Sequence, residues 1–361
     1  MNIIFIILFV LIIVSLILFF SINKNERNFF REIYEYNFNQ SYYSKSNFKK
    51  PNNLTFIPHP IYNWSLNPFH KNSNNQFSHT IEGFRKTSNA NSIMDNLDYS
   101  FKVICIGGST THCQEIDDVS KTWPSLLNSK LNNQNSFVYN FGVGGWNTLQ
   151  SLNRLISWSN IIKPNLIILY QSKNDLTPFV QGNFKEKTIQ NDLQNIIVQF
   201  SQSFNFGYLR LFSKIPIINI IIYKLFLRRK FLKFGLLNIY KPKAESNTNG
   251  LKRINNENIE NILLRIETIF KIAEILDSKV LYVPELVFDK EYSTVLREKI
   301  FPKIKKISEK YQNVEYFDLY NVMQFNSEYF IDKMHFTESG CEIFSEILKT
   351  KIINDYYKLN D

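Results

Sequence analysis

The feature that most constrains the fold is a short apolar run that polar residues follow at once. Residues 165–170 read NLIILY and contain no charge. Six residues are few for a helix, and a strand without apolar–polar alternation must be buried on both faces. Such strands occur almost only in parallel sheets that helices cover on both sides. The segment therefore predicts an α/β fold.

Similar short runs alternate with amphipathic segments from residue 101 onward. Five strands are predicted, at residues 102–106, 137–140, 165–170, 279–284 and 314–317. Helices are predicted at residues 123–131, 148–158, 295–311 and 339–351, and the apolar spacing across 259–273 adds another. This order predicts a parallel five-stranded sheet between two helical layers, with ligands binding at the carboxyl ends of the strands.

The positive charge is concentrated in one segment. The chain has 361 residues and a net charge of +10. Residues 208–243 hold nine Lys and Arg and no Asp or Glu, so the remainder is nearly neutral. This distribution argues against a diffuse basic surface for nucleic acid, and no nucleic-acid partner is predicted. Three cysteines exclude a disulfide framework and fit a reducing compartment.

The basic segment belongs to a predicted insertion at residues 178–250. It separates the third strand from the next helix, where connections are usually short. Its alternating apolar and basic clusters fit a basic amphipathic helix on anionic lipid. They fit equally a helical lid over the site whose basic face is only solvated. The sequence leaves both interpretations open.

The N-terminus carries the second long apolar run. Residues 3–22 contain no charge. At about 1.5 Å per residue, 20 helical residues span a hydrocarbon core of about 30 Å. We therefore predict a single-pass membrane anchor at residues 1–22. The alternative is a cleaved signal peptide, but a basic start, a shorter apolar region and a small-residue cleavage site are not evident.

The anchor divides the chain into three predicted parts. A juxtamembrane linker and lead-in occupies residues 23–100, and one catalytic α/β domain occupies residues 101–361. Three basic residues closely follow the anchor and two acidic residues partly offset them. The positive-inside rule would keep this side in the cytoplasm. The bias is small, so the side of the membrane stays open.

Polar groups suited to acyl transfer follow several predicted strands. Ser109 follows two glycines after the first strand, and glycines that open a helix after the second expose backbone N–H groups. Asn174 follows the third strand and offers a side-chain amide. Asp332 and His335 lie three residues apart, so the carboxylate can fix one imidazole tautomer. Taken singly, each can be an ordinary turn or core residue. Together they supply a nucleophile, oxyanion donors and a base.

Nucleotide-binding motifs fit these loops poorly. The loop at Ser109 lacks the preceding lysine and the length of a phosphate-binding loop. The second glycine cluster has the spacing G-x-G-G, whereas a dinucleotide fingerprint requires G-x-G-x-x-G. Neither loop is therefore interpreted as a nucleotide site.

Four segments resemble the sequence blocks of the SGNH (GDSL-type) hydrolase family. They are GGSTT, NFGVGGWNT, SKND and DKMH, and they occur in the family's order between about residues 101 and 350. The resemblance implies a three-layer α/β/α flavodoxin-like fold. It implies Ser109 as nucleophile, His335 and Asp332 as its base, and an oxyanion hole from Ser109, Gly145 and Asn174. No metal or cofactor is implied.

Further residues refine this resemblance. The lead-in around His59-Pro60 and the GFR segment look like those of membrane-anchored bacterial members. His112, Trp146 and Ser172 adjoin the blocks and are candidates to shape the pocket, although packing is the simpler role for His112 and Trp146. Ser172 stands where the family usually has glycine.

The resemblance implies a serine esterase. With a membrane anchor, the expected substrate is an O-acyl or O-acetyl ester on an envelope glycan or lipid. An acyltransferase that acts on a sugar hydroxyl is an alternative within the same chemistry. Ser172 motivates another alternative, a catalytically silent membrane-bound binding or scaffold protein.

Overall fold

The computed structural model describes residues 55–59, 61–132, 135–180, 251 and 254–357. The predicted anchor at 3–22 and the basic segment at 208–243 lie outside the described residues, so both stay predictions. Among the described helices, none has the length and apolar character needed to cross a membrane. The chain divides into two compact units, and the larger one, residues 52–57, 65–188 and 246–361, carries the main sheet.

The main sheet has five parallel strands. Two short strands, β1 (Phe56–His59) and β2 (Asn63–Leu66), precede it and pair with each other. The main strands are β3 (Phe101–Gly107), β4 (Ser136–Asn140), β5 (Leu166–Tyr170), β6 (Lys279–Tyr282) and β7 (Val314–Tyr316). Their spatial order is β4-β3-β5-β6-β7, with every pair parallel. This is the flavodoxin-like doubly wound order, so the predicted fold class is confirmed.

Eight described helices connect and cover the strands. In chain order they are α1 (Ser109–His112), α2 (Trp123–Leu131), α3 (Thr148–Ile162), α4 (Lys173–Val180), α5 (Asn256–Ile275), α6 (Lys290–Val295), α7 (Phe301–Ser308) and α8 (Glu338–Ile352). Short 3₁₀ turns occur at Ile93–Asn96, Val119–Lys121 and Leu319–Asn321, and a π-helical turn at Ile353–Tyr357 extends α8. The predicted helices are confirmed, with shifts at their ends.

One predicted helix differs in extent. The pattern predicts a start at residue 295, but the helix begins at Lys290, where the Asp289 carboxylate accepts the N–H groups of Glu291 and Tyr292. Six residues later a π-helical turn, Leu296–Ile300, begins and joins α6 to α7. Pro302 stands in the first turn of α7. Because proline has no N–H to donate, the regular ladder cannot run through this position, which accounts for the widened turn.

The sheet separates two apolar cores. Ile104 and Ile106 of β3 pack on one face with residues of α3, α5 and α7. Val103 and Cys105 of the same strand pack on the other face with residues of α2 and α8. All four side chains are fully buried. This arrangement explains why the strands lack apolar–polar alternation, and it makes the fold three-layered.

Three histidine rings, those of His70, His79 and His112, form a contact cluster. The rings of His70 and His79 lie 5.1 Å apart, and those of His79 and His112 lie 5.7 Å apart. Burial lowers the pKa of His79 and of His112 well below the ordinary value of 6.5, and the nearby Arg85 and Arg154 guanidinium groups lower both pKa values further. Both imidazoles are therefore neutral in the folded protein at neutral pH.

This cluster predicts a pH-dependent stability. Below about pH 6.5 the unfolded chain binds protons at His79 and His112 that the folded chain does not. Each histidine therefore lowers the free energy of unfolding by up to ~1.4 kcal/mol for every unit by which the pH falls. Asp175 has the opposite effect on the free energy of unfolding between about pH 6 and 4. Burial raises its folded pKa to about 6, so in this range the folded chain binds a proton that the unfolded chain does not. The two histidines outweigh it. The unfolding midpoint of the full-length protein, followed by tryptophan fluorescence, should therefore decrease as the pH is lowered from neutral.

A histidine variant isolates this effect. His79→Gln removes one of the two groups, so its midpoint should depend less steeply on pH than that of the unchanged protein. Exposed Lys279 serves for comparison, because Lys279→Gln should leave the slope as it is. Equal slopes in the His79→Gln and unchanged proteins would contradict the account.

Candidate active site

Ser109 is presented by a tight turn at the carboxyl end of β3. It is the first residue of α1, a single helical turn that ends at His112 and is followed by Cys113 in the left-handed conformation (φ 52°). A side chain at Gly107 would collide with Thr111 and with the carbonyl of Tyr170. Glycine is therefore required where the turn presses against the end of β5. The close fit brings Ser109 to the edge predicted from the sequence.

Ser109, His335 and Asp332 form a continuous line of hydrogen bonds. The Ser109 Oγ lies 2.8 Å from His335 Nε2, although the two residues are 226 positions apart. His335 Nδ1 lies 2.7 Å from Asp332 Oδ2. Asp332 Oδ1 also accepts the backbone N–H groups of Met334 and His335, each at 2.8 Å. The predicted nucleophile and base residues are thus brought together.

The surroundings of Asp332 keep it ionised. Burial alone would raise its pKa, but the hydrogen bonds from the backbone and ring of His335 and from the Met334 N–H hold the pKa below its ordinary value. A carboxylate at this position accepts the Nδ1–H of His335. The Nε2 of the same ring then carries a lone pair for the Ser109 hydroxyl. The line of bonds is therefore chemically suited to general-base catalysis.

The predicted oxyanion residues lie at the same edge. A Cβ at Gly108 would stand 2.6 Å from Asn174 Nδ2, so this amide borders the turn that precedes Ser109. Asn174 Nδ2 also donates to the Trp146 carbonyl at 2.8 Å, which connects it to the glycine turn after β4. Gly145 in that turn has φ +80°, a conformation that favours glycine. A second Nδ2 hydrogen remains for a substrate oxygen.

Asp175 connects the two segments that carry the predicted oxyanion residues. Its fully buried carboxylate accepts the backbone N–H of Thr148 at 3.0 Å and the Thr148 hydroxyl at 2.6 Å. Burial raises the pKa of Asp175 to about 6, against the lowering effect of these bonds. The start of α4 is thereby fixed to the start of α3.

Glu285 organises the site, although its role was not predicted. One carboxylate oxygen accepts the Thr110 hydroxyl at 2.7 Å. The other accepts the backbone N–H groups of Ser172 at 2.9 Å and Lys173 at 2.7 Å. Glu285 follows β6 at the same edge of the sheet, and it is 2% exposed. A lone acidic residue after a buried strand is the sequence signal that points to it.

The three predicted pocket residues are held in the packed interior. The Ser172 hydroxyl donates to the Gln171 carbonyl at 2.6 Å. The indole of Trp146 lies 4.7 Å from the Arg154 guanidinium carbon, and the His112 ring contacts the His79 ring in a tilted arrangement. All three side chains are buried. They support the loops around Ser109, as the packing interpretation of His112 and Trp146 proposes.

A second carboxylate that was not predicted lies beside the catalytic candidate. Glu115 Oε1 is 3.6 Å from His335 Nε2, the nitrogen that also contacts Ser109. Its position depends on the left-handed turn at Cys113, which no sequence pattern indicated. Within the described residues, no group of three or more His, Cys, Asp or Glu is arranged to hold a metal ion.

The fold and the site define an ester-hydrolysing enzyme of the α/β/α type. The sequence model of the GDSL-like Lipase/Acylhydrolase family matches residues 103–348, which is most of the chain. The chain therefore belongs to the GDSL-like lipase/acylhydrolase family, and the predicted family resemblance is confirmed. A search of curated proteins finds no match.

Solved structures with similarity to the chain include several esterases. A G-D-S-L family lipolytic protein from Desulfitobacterium hafniense DCB-2 is 12% identical, covering 70% of this chain and 99% of its own, with a TM-score of 0.41. The acetyl xylan esterase AlAXEase is 11% identical over 70% and 100%, with a TM-score of 0.41. The lipase/acylhydrolase from Enterococcus faecalis is 18% identical over 70% and 95%, with a TM-score of 0.38.

The Glu285 network yields a prediction. In Glu285→Gln, one carboxylate oxygen becomes an NH₂ group that cannot accept, so a buried donor loses its partner at a cost of ~1–3 kcal/mol. The variant should unfold at lower denaturant concentration. Its kcat on a short ester should also fall, because the segments that carry Thr110 and Asn174 are no longer held together.

The exposed Glu309 provides the matched control for this substitution. Glu309→Gln removes the same charge and should change neither the unfolding midpoint nor kcat. A Glu285→Gln protein with the stability and kcat of the unchanged enzyme would contradict the role of the network.

Proposed function

We propose that the protein is a serine esterase that removes an O-acyl group, in particular O-acetyl, from an envelope glycan or lipid through an acyl-enzyme. The observation that carries the proposal is the line of hydrogen bonds from Ser109 through His335 to Asp332, at the edge of the sheet. Membership of an acylhydrolase family supports the same chemistry.

The proposed reaction has two halves. His335 Nε2 takes the Ser109 proton as Oγ attacks the ester carbonyl, while Asp332 stabilises the imidazolium. The backbone N–H groups of Ser109 and Gly145 and the Asn174 amide bind the oxyanion. His335 then returns the proton to the leaving alcohol as the C–O bond breaks. Water, activated by His335, attacks the acyl-enzyme, releases the acid and restores Ser109.

The surroundings of Ser172 favour an active enzyme over a silent scaffold. Glycine is usual at this position, but the Ser172 N–H still binds Glu285 and the Ser172 hydroxyl is satisfied by Gln171. Asn174 keeps its place beside Gly108. The extra hydroxymethyl group is therefore accommodated without displacing the proposed oxyanion amide.

The proposed substrate follows from the two segments outside the described residues. An anchor at residues 3–22 would tether the enzyme to a membrane. The basic segment at 208–243 would add attraction to an anionic surface. A location at the membrane favours esters of envelope glycans or lipids as the substrates.

The nucleophile is tested by Ser109→Ala. This variant should lose hydrolysis of p-nitrophenyl acetate and of an O-acetylated glycan, measured as free acetate, because no oxygen remains to form the acyl-enzyme. A fluorophosphonate probe should label the unchanged protein and not the variant. Ser120→Ala, at an exposed serine, is the control and should keep both properties.

The results of this test discriminate between the functions. Unchanged rates in Ser109→Ala would refute the assignment. An unchanged protein that neither hydrolyses esters nor takes up the probe would be a silent scaffold. Acyl groups that appear on an acceptor sugar instead of as free acid would identify a transferase.

The oxyanion amide gives a second prediction. Asn174→Ala should lower kcat by about 10²–10³, the usual loss for one oxyanion donor, because this interaction strengthens as negative charge develops. KM for the same ester should change much less. A loss confined to KM would show that Asn174 serves in ground-state binding only.

A further inference from the structure

Glu115 occupies an unusual position for a carboxylate. Its Oε1 lies 3.6 Å from His335 Nε2, on the opposite side of the ring from the Nδ1 that contacts Asp332. The Glu115 side chain is 25% exposed and that of His335 is 15% exposed. A partly shielded negative charge thus faces the nitrogen that exchanges protons with Ser109.

The loop around Glu115 is fixed on both sides. The left-handed Cys113 turns the chain back after α1, and the Ile116 N–H closes the turn by donating to the Cys113 carbonyl at 3.0 Å. The Ile116 carbonyl accepts from the buried Arg85 at 2.6 Å. Gln114 Nε2 donates to Glu115 Oε1 at 2.9 Å. Glu115 is therefore oriented by its neighbours.

In the proposed mechanism, the alcohol half of the substrate occupies the space beside His335 Nε2 and Glu115. In the proposed mechanism His335 Nε2 delivers its proton to the oxygen of the leaving alcohol, so that oxygen must come within hydrogen-bond distance of Nε2. Because Glu115 Oε1 is 3.6 Å from the same nitrogen, a group on the carbon next to that oxygen is within reach of Glu115. An ionised carboxylate only accepts hydrogen bonds, and it repels negative charge.

We propose that Glu115 determines specificity for the leaving alcohol. It accepts a hydrogen bond from a hydroxyl adjacent to the esterified oxygen, as in the vicinal hydroxyls of a sugar or glycerol, and it disfavours alcohols that carry a phosphate. The inference rests on the proposed esterase function and narrows its substrate to esters of neutral polyhydroxylated alcohols.

Three acetate esters test the inference with the full-length protein. Glycerol 1-acetate offers the adjacent hydroxyl, propyl acetate lacks it, and 1-acetylglycerol 3-phosphate adds negative charge. For the unchanged enzyme we expect kcat/KM for glycerol acetate to exceed that for propyl acetate by about tenfold, since hydrogen bonds to charged groups are strong. The phosphate ester should be the poorest of the three.

Variants of Glu115 should change these ratios. Glu115→Leu should reduce the preference for glycerol acetate over propyl acetate to near one. Glu115→Gln keeps an acceptor but removes the charge, so it should raise kcat/KM for the phosphate ester about tenfold. Gln114→Ala releases the carboxylate from its neighbour and should weaken the preference in part. Glu298→Gln, which removes an exposed charge on the π-helical turn, is the control and should leave all three rates unchanged.

The outcomes separate this inference from the proposed function. If the unchanged enzyme hydrolyses the esters but the Glu115 variants slow all three equally, Glu115 acts only through His335 and the specificity role is overturned. If the unchanged enzyme hydrolyses none of them and Ser109 takes up no fluorophosphonate, the esterase function fails and the inference fails with it. Equal melting temperatures confirm that the variants are folded.

Discussion

The buried carboxylate of Glu285 is the constraint on which the site depends. A charge removed from water is tolerated only when hydrogen bonds replace its hydration. Glu285 obtains these bonds from Thr110, beside the proposed nucleophile Ser109, and from the N–H groups that open α4. Because loss of any one donor is costly, the two segments are held at a fixed separation. The spacing between Ser109 and Asn174 follows from this requirement.

Two aspartates illustrate how position decides chemical behaviour. Asp332 lies on a loop, accepts two backbone N–H groups and an imidazole, and has a lowered pKa. Asp175 is fully buried between two helix starts, and its pKa is raised to about 6. The first is suited to stabilise a developing imidazolium. The second is suited to fasten α3 to α4. Residue type alone would not distinguish these roles.

Some of the site residues could be predicted from the sequence and others could not, and the reason is physical. Parallel strands bring their carboxyl ends to one edge, so the strand pattern placed Ser109 and Asn174 there. His335 lies well beyond β7, and its pairing with Asp332 was predicted from their spacing and from the family resemblance. Glu285 could not be given a role, because its partners are backbone N–H groups whose direction depends on the tertiary fold. Glu115 depends on one left-handed residue, Cys113, a type that rarely adopts this conformation. Local patterns carry little information about such turns.

The geometry around His335 also explains how a second carboxylate is compatible with catalysis. At 3.6 Å, Glu115 lies beyond hydrogen-bond distance of Nε2, whereas Ser109 is within it at 2.8 Å. Glu115 therefore does not displace the serine in the resting enzyme. When Nε2 takes up a proton in the proposed reaction, Glu115 at this distance does not hold that proton in a hydrogen bond. The proton remains free to pass to an alcohol oxygen that approaches Nε2 from the substrate side, and the alcohol best suited to this approach is one whose neighbouring hydroxyl donates to Glu115.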